Sequence, residues 1–474
     1  MILDNPSSFY KLLIRVFPHT PTILQEELFK KFSTFIYEDS QSSVFLLKGY
    51  AGTGKTTSVG VMVNSLYQTG AKAVLLAPTG RAAKVIANYA NKPAFTIHKK
   101  IYYPKKTSSG LSFTLKQNKH TNTIFFVDEA SMISDDSNSV KFNSFSLLRD
   151  LIKYVDAGKN CKLVLIGDTA QLPPVKLDVS PALDVDKLTL DYNKDVTEIV
   201  LTEVMRQQEY SGILNNATDL RTKIATYYER SHFKFDSNFP DVVRLIDGYD
   251  IEDAINSSYD NASVEDTAII VRSNKRANAY NQQIRMNILG NESDISSGDY
   301  VMVVKNNYYY LDERSEAGFI ANGDTCEVLE IFNRKELYGF RFAEAKIRMI
   351  DYPNQAPFVV MLLLDTLTTN TPSLPYKENN KLYHEVAKDY AHLKSKYKIF
   401  QSIKENKYFN ALQIKFSYAM TCHKSQGGQW KNVFIEKPWL PEGQNVGYWR
   451  WLYTAITRAQ EKVFLLGYTE DDFV

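Results

Sequence analysis

The stretch Gly49-Tyr50-Ala51-Gly52-Thr53-Gly54-Lys55-Thr56-Thr57 has the residue types and spacing that grip a phosphate chain. Gly49, Gly54, Lys55 and Thr56 fall at the fixed positions of a phosphate loop. The loop follows the apolar run Val44-Phe45-Leu46-Leu47, which reads as a buried parallel strand, and precedes SVGVMVNSLY, which reads as a helix. Glycines let backbone N–H groups curl around phosphate oxygens where side chains would clash. The helix begun near Lys55 aims its positive end at the same anion. Lys55 is then placed to reach the β- and γ-phosphates, and the Thr56 hydroxyl to hold Mg²⁺. A glycine-rich turn that binds nothing is the plain alternative, and GKT directly after a strand argues against it.

Three further groups could complete such a site. Asp128-Glu129-Ala130-Ser131 follows the run TIFFV. Adjacent carboxylates at a strand end divide the labour: Asp128 holds Mg²⁺ through water, and Glu129 orients and deprotonates an attacking water. A pair of helix N-cap acids is the alternative. Gly167-Asp168-Thr169-Ala170-Gln171-Leu172-Pro173-Pro174 follows KLVLI, and Gln171 could touch a γ-phosphate and a bound strand together. Gly, Asp and Pro-Pro are also ordinary turn formers. Arg206 in LTEVMR and Arg458 in YTAITR lie further along. An arginine reaching a γ-phosphate across a cleft stabilises the transferring group only when the cleft is closed, which couples nucleotide state to domain closure. A lone arginine is otherwise a solvated surface residue.

The elements that must position these residues follow from short apolar runs ending in polar loops. Val44–Lys48, Ala73–Ala77, Ile124–Val127 and Leu163–Ile166 predict one parallel sheet, with ligands outside the carboxyl ends of its strands. Residues 1 to about 43 read as helical with a loop at Pro18–Pro21. Ala268–Val271, Val433–Ile435 and Val463–Leu466 predict a second α/β domain. It is split by β-rich runs with Gly/Asn turns (YVMVV, EVLEIF, FVVMLLL) that read as a small barrel, and residues 376–408 are rich in lysine and tyrosine and read as helical. With 474 residues, 44% hydrophobic and 23% charged, the chain has room for two to four domains. A net charge of +2 means that any basic surface is local. Cys161, Cys326 and Cys422 are isolated, which suits a reducing cytosol and no disulfide framework. No signal peptide or membrane span is read.

Taken in order, the phosphate loop, APTGRAA (77–83), TIH (96–98), DEAS (128–131), GDTAQLPPV (167–175), LTEVMRQ (201–207), MTCHKSQGGQW (420–430) and YTAITRA (453–459) resemble the motif set of superfamily 1 helicases. The likeness is greatest to the RecD/Dda-like branch (SF1B), which translocates 5′ to 3′ on single-stranded DNA, and it covers roughly residues 22–467. It implies an α/β fold of two RecA-like parallel-sheet P-loop NTPase domains, with a β-hairpin inserted in the first and an SH3-like β-barrel in the second. The boundaries implied are 1–200 for the first domain, 201–295 and 411–474 for the second, and 296–410 for the barrel with a helical extension.

The resemblance also implies ATP and Mg²⁺ as cofactors, with single-stranded DNA and a DNA fork as partners of a monomeric, cytoplasmic enzyme serving replication, repair or recombination. Lys55, Glu129, Gln171, Arg206 and Arg458 would form the catalytic set, with Thr56 and Asp128 at the metal. Gln25 would meet the adenine edge, and Gly49, Ala51, Gly52, Thr53, Gly54, Lys55, Thr56 and Thr57 would cradle the nucleotide. Pro78, Thr79, Thr96, His98, Thr421, His423 and Lys424 match positions that grip the DNA strand, although His98 alone would read as a core histidine and His423 as a helix cap. Residues 98–120 hold six lysines, Tyr102, Tyr103 and Phe113 but no acid, and read as a hairpin turning at Ser108-Ser109-Gly110. In the resembled family a hairpin here splits the duplex, with Phe113 as the stacking residue; a solvated basic loop is the alternative. The long N-terminal region of larger RecD proteins is lacking, so no dedicated partner-docking domain is expected.

Two neighbouring readings stay open at this point: a translocase that strips proteins from single strands without processive unwinding, and a catalytically idle scaffold, against which the intact catalytic positions argue. A GTP switch is disfavoured because Asn274-Lys275 is followed by Arg-Ala rather than completing NKxD. No acidic cluster outside the nucleotide site supports a nuclease.

Overall fold

Strands buried on both faces need helices above and below them, and the chain supplies both. A computed structural model describes residues 2–40, 42–107, 110–135, 146–204, 210–226, 232–312, 315–393 and 395–474, with the backbone alone for 104–107 and 110–113. Two helices lead: α1 (Pro6–Val16), capped by the Asn5 side chain, and α2 (Ile23–Tyr37), capped by Thr22. The first lobe continues as β1 (Ser43–Gly49), α3 (Lys55–Ser65), β2 (Lys72–Ala77), α4 (Gly80–Ala90), β3 (Ala94–Thr96) and α5 (Ile97–Ile101). It is completed by the hairpin β4 (Tyr102–Thr107) and β5 (Gly110–Leu115), then β6 (Thr121–Val127), α6 (Leu147–Asp156), β7 (Lys159–Gly167), α7 (Val185–Leu190) and β8 (Asp195–Leu201). Six parallel strands run in the order β3-β2-β6-β7-β1-β8. Phe32 from α2 packs edge-on to Phe45 at 5.6 Å and lies 6.0 Å from Phe126, so the leading helices seal one face of this sheet.

Two strands of this sheet were not among the predicted runs. β8 reads DVTEIVL, where polar residues interrupt the apolar pattern of a half-exposed edge, and β3 is only three residues long.

The second lobe begins with α8 (Gly212–Thr226), β9 (Val242–Leu245), α9 (Gly248–Asn261), β10 (Thr267–Val271) and α10 (Asn274–Gln283). The chain then leaves it to build a closed barrel from β11 (Tyr300–Val303), β12 (Thr325–Leu337), β13 (Phe340–Met349), β14 (Phe358–Leu363) and, after α11 (Asp365–Thr368), α12 (Tyr376–Asp389) and α13 (Lys396–Glu405), β15 (Leu412–Phe416). It returns through β16 (Ala419–Thr421), α14 (Cys422–Ser425), β17 (Trp430–Glu436), α15 (Val446–Ile456) and β18 (Ala459–Leu466). The second sheet runs β16-β10-β17-β18-β9, with every pairing parallel.

The barrel explains the lysine- and tyrosine-rich segment. β14 pairs with β15 in parallel, and parallel neighbours need a crossover connection of about a dozen residues or more. The segment 376–408 supplies that crossover: Leu382, Val386 and Ile403 of its two helices pack on Phe340, Phe342 and Leu363 of the barrel wall. The expected boundary at 410 is therefore corrected, since the barrel closes only with Leu412–Phe416. LQIKF does not read as an apolar run because Gln413 and Lys415 interrupt it, yet both are buried and satisfied. Gln413 Oε1 accepts from Leu374 N–H at 3.0 Å, and Lys415 Nζ donates to the Thr366 carbonyl at 2.9 Å.

A buried ion pair fastens the barrel to the second lobe. Arg285, just beyond α10, donates to both oxygens of Asp299 at 2.9 and 2.8 Å, and its guanidinium lies 4.3 Å from the Phe416 ring centre. The Tyr418 hydroxyl adds a third bond to Asp299 at 2.9 Å. Among the described residues no helix is long and apolar enough to cross a membrane.

Removing one member of such a pair strands the other charge without its partner. Asp299→Ala should cost about 3–5 kcal/mol and lower the calorimetric melting point by several degrees, while Asp299→Asn, which keeps an acceptor, should cost less.

Candidate functional site

β1 ends at Gly49, where the backbone must pass close to Lys55 and to β8. A Cβ at Gly49 would lie 2.8 Å from Lys55 Cγ and 3.1 Å from Leu201 Cβ. The loop then folds onto the Tyr50 carbonyl, which accepts from Lys55 Nζ at 2.8 Å, Thr53 Oγ1 at 2.8 Å and Thr53 N–H at 3.4 Å. Gly54, left-handed at φ 75° and ψ 18°, starts α3. Gln25 sits beneath this loop. It is fully buried, its amide donates to the Thr53 carbonyl at 3.1 Å, and its oxygen accepts from Thr22 N–H at 3.0 Å as part of the α2 cap. These two bonds brace the loop from below.

The loop opens on a cleft of about 770 Å³, within the usual ligand-pocket range of roughly 300–1,000 Å³. Residues 50–57, Asp128, Glu129, Asp168 and Gln171 line it from the first lobe, and Thr457 and Arg458 from the second. The structure thus gathers the expected loop, acids, glutamine and one of the two arginines; Arg206 lies outside the described residues. Burial pushes the Lys55 ammonium pKa below its ordinary range, opposed by Asp168, Asp128 and Glu129 in that order. Burial, with Glu129 next to it, pushes Asp128 up to about 7, and burial raises Asp168 as well. Glu129 adopts a left-handed backbone at φ 51° and ψ 39°, a conformation that non-glycine residues seldom take and that tends to collect at functional sites. Its carboxylate accepts from Ser131 Oγ at 3.4 Å and lies 3.6 Å from Arg458 Nη1. The Gln171 side-chain oxygen is buried without a hydrogen-bond partner among the described residues. The Thr56 hydroxyl and the Asp128 carboxylate are hard oxygen donors, a set that fits Mg²⁺, which when bound supplies positive charge beside a phosphate.

The lobes meet through contacts that the sequence reading passed over. Tyr453 OH donates to Asp168 at 2.6 Å and accepts from Ala51 N–H at 2.9 Å. Thr454 Oγ1 accepts from Leu172 N–H at 2.8 Å, and Gln426 Nε2 donates to the Leu172 carbonyl at 2.7 Å. Both Asp168 and Tyr453 stand inside quoted motifs; the missing signal was their pairing across lobes, which spacing along the chain does not encode.

The expected strand-gripping residues fall on one recurring device. Thr79, Thr96 and Thr421 each occupy the N-cap position of a helix that follows a parallel strand, β2, β3 and β16 respectively. Thr79 and Thr96 accept from Ala82 and Lys99 N–H at 3.2 and 3.3 Å, while Thr421 makes no such side-chain cap. Pro78 lies between β2 and Thr79. Burial holds His98 and His423 below the usual histidine range and pushes Lys424 down to about 8. The hairpin pairs Pro104 with Phe113. At its base Lys99 Nζ donates to the barrel carbonyls of Ser315, at 3.2 Å, and Glu316. Arg81 of α4 reaches from the first lobe to both the second lobe and the barrel. It lies 4.7 Å from the Trp430 ring centre of the second lobe, and on the barrel side it donates to Thr325 Oγ1 at 3.2 Å and lies 3.9 Å from Asp351.

Two family models match the chain: an AAA domain over residues 34–235 and a UvrD-like helicase C-terminal domain over residues 416–466. The chain is similar to the uncharacterized protein R530 of Acanthamoeba polyphaga mimivirus, at 24% identity over 91% of this chain and 97% of that protein. It is similar to the ATP-dependent DNA helicase dda of Enterobacteria phage T4, at 23% identity over 88% and 93%. Among solved structures, Pif1 helicase from Candida albicans aligns over 95% of each chain at 16% identity with a TM-score of 0.41.

Gly49→Ala should push the Lys55 side chain off its place. Overpacking of this kind costs about 1–3 kcal/mol of stability, so the melting point should fall by a few degrees, and with Lys55 displaced, binding of a fluorescent adenine nucleotide should weaken roughly tenfold or more.

Proposed function

We propose that this chain, a superfamily 1B helicase of the RecD/Dda type, hydrolyses ATP between its two parallel-sheet lobes and converts closure of the cleft into 5′→3′ movement along single-stranded DNA, unwinding duplex as it goes. The observation that carries this reading is the cleft itself, where Lys55, Thr56, Asp128, Glu129 and Gln171 of one lobe face Arg458 of the other. Lys55 and the loop amides hold the phosphates, Thr56 and Asp128 hold Mg²⁺, and Glu129 takes the proton of the attacking water. Arg458, and Arg206 from its motif, stabilise the charge on the transferring group when the lobes are together. Gln171 links the γ-phosphate position to the bound strand.

The strand runs along Pro78, Thr79, Thr96, His98, Thr421, His423 and Lys424. Hydroxyls, a lysine and strand-end amides hold a phosphate backbone without reading sequence, and neutral imidazoles suit contact with sugar or base. The basic hairpin is the wedge, with Phe113 stacking on the parting base pair. The direction of travel and the monomeric state follow from the branch resemblance.

Lys55→Ala should abolish ATP turnover and unwinding. Arg458→Ala should lower DNA-stimulated kcat by about 10³-fold or more, measured by phosphate release with oligonucleotide present. Unwinding of paired tailed duplexes with ATP and Mg²⁺ should succeed on 5′ tails; success only on 3′ tails overturns the direction. Phe113→Ala should depress unwinding sharply and spare DNA-stimulated turnover. Unchanged unwinding in that variant would favour a translocase that clears proteins from the strand.

A further inference from the structure

Tyr453 is completely buried at the seam between the lobes, on α15 and five residues before Arg458. Its hydroxyl makes two bonds, both to the opposite lobe. It donates to Asp168 Oδ2 at 2.6 Å and accepts from the phosphate-loop N–H of Ala51 at 2.9 Å. Burial and the neighbouring carboxylate drive the phenol far above its ordinary pKa, so it keeps its proton and stays a donor. The other Asp168 oxygen accepts from Ala170 N–H at 2.9 Å. Each oxygen of this buried carboxylate therefore has one partner, and one of the two comes from the second lobe.

Lys55 gives this arrangement its meaning. Lys55 and Asp168 line the same cleft, yet Lys55 donates to the Tyr50 carbonyl at 2.8 Å rather than to that carboxylate. In a low-dielectric interior, a carboxylate with an unsatisfied oxygen draws in the nearest ammonium. A charge-assisted bond from a phenol removes that pull. We propose that Tyr453 is a positioning residue for nucleotide turnover: as the lobes close, it occupies Asp168 and fixes the loop at Ala51, leaving Lys55 free to meet the phosphates. The inference rests on the ATP-motor reading of this cleft. If the ring served only as packing in the core around α15, loss of its hydroxyl would alter stability and nothing else.

The test uses the full chain and the variants Tyr453→Phe, Asp168→Asn and their combination. ATP turnover is measured against ATP concentration with saturating oligo-dT, alongside melting curves. Tyr453→Phe should raise KM for ATP about tenfold, as expected for loss of one hydrogen bond to a charged group, and lower kcat as well. Adding Asp168→Asn should bring KM back toward the parent value, because no unpaired carboxylate then competes for Lys55. A parental KM and kcat in Tyr453→Phe overturns the proposal. So does a defect that Asp168→Asn leaves untouched or deepens, since that is the behaviour of a packing residue. Lys55→Ala separates the two levels: if it still turns over ATP, the motor reading falls and this inference with it. If Lys55→Ala is inactive while Tyr453→Phe is parental, only the role of Tyr453 is lost.

Discussion

The structure turns on one half-buried cation. Lys55 lies at the carboxyl ends of three neighbouring strands of the first sheet, with Asp168, Asp128 and Glu129 delivered around it by the loops after β7 and β6. Burial disfavours the ammonium and raises both Asp128 and Asp168, and attraction between the cation and these acids offsets part of those costs. The parallel sheet is what makes the exchange possible, since it ends β1, β6 and β7 side by side and so brings residues more than a hundred positions apart to one point.

The second lobe enters this balance rather than merely facing it. Arg458 approaches Glu129, and Tyr453 touches both Asp168 and the loop backbone. Thr454 and Gln426 bond the main chain of Leu172, so the segment after β7 is read by two separate elements of the other lobe. A change in the charge of the cleft is therefore felt directly by the contacts that hold the lobes together. That is the physical requirement for coupling chemistry to movement, and it rests on main-chain groups and buried side chains rather than on solvent-exposed ion pairs, which contribute little.

Much of this was legible in the chain. Phosphate-loop glycines have steric reasons to be where they are, and Gly49 shows one of them directly in its approach to Lys55. Strands buried on both faces announce themselves as unbroken apolar runs, as β1, β6 and β7 do. Strands that carry polar residues for tertiary reasons do not, which hid β8 and also β15, where Gln413 and Lys415 are satisfied by partners from the crossover helices' flank and α11. Gln25 was legible as a loop-side residue, but its bonds to the α2 cap and to Thr53 were not. A polar residue at a helix start can face a ligand or cap the helix, and here the side chain is committed to the cap and to Thr53. Contacts between lobes were the least legible, because Tyr453 and Ala51 are 402 positions apart and nothing in local spacing pairs them.

The Arg81 junction has a mechanical corollary. One guanidinium rests on Trp430 of the second lobe and reaches Thr325 and Asp351 of the barrel, while another barrel loop holds Lys99 at the foot of the hairpin. A turn of the second lobe would therefore strain contacts at the barrel, and through the barrel those at the foot of the hairpin. The hairpin's foot is thereby tied to the barrel by main-chain acceptors, and the barrel to the first lobe by the Arg81 guanidinium.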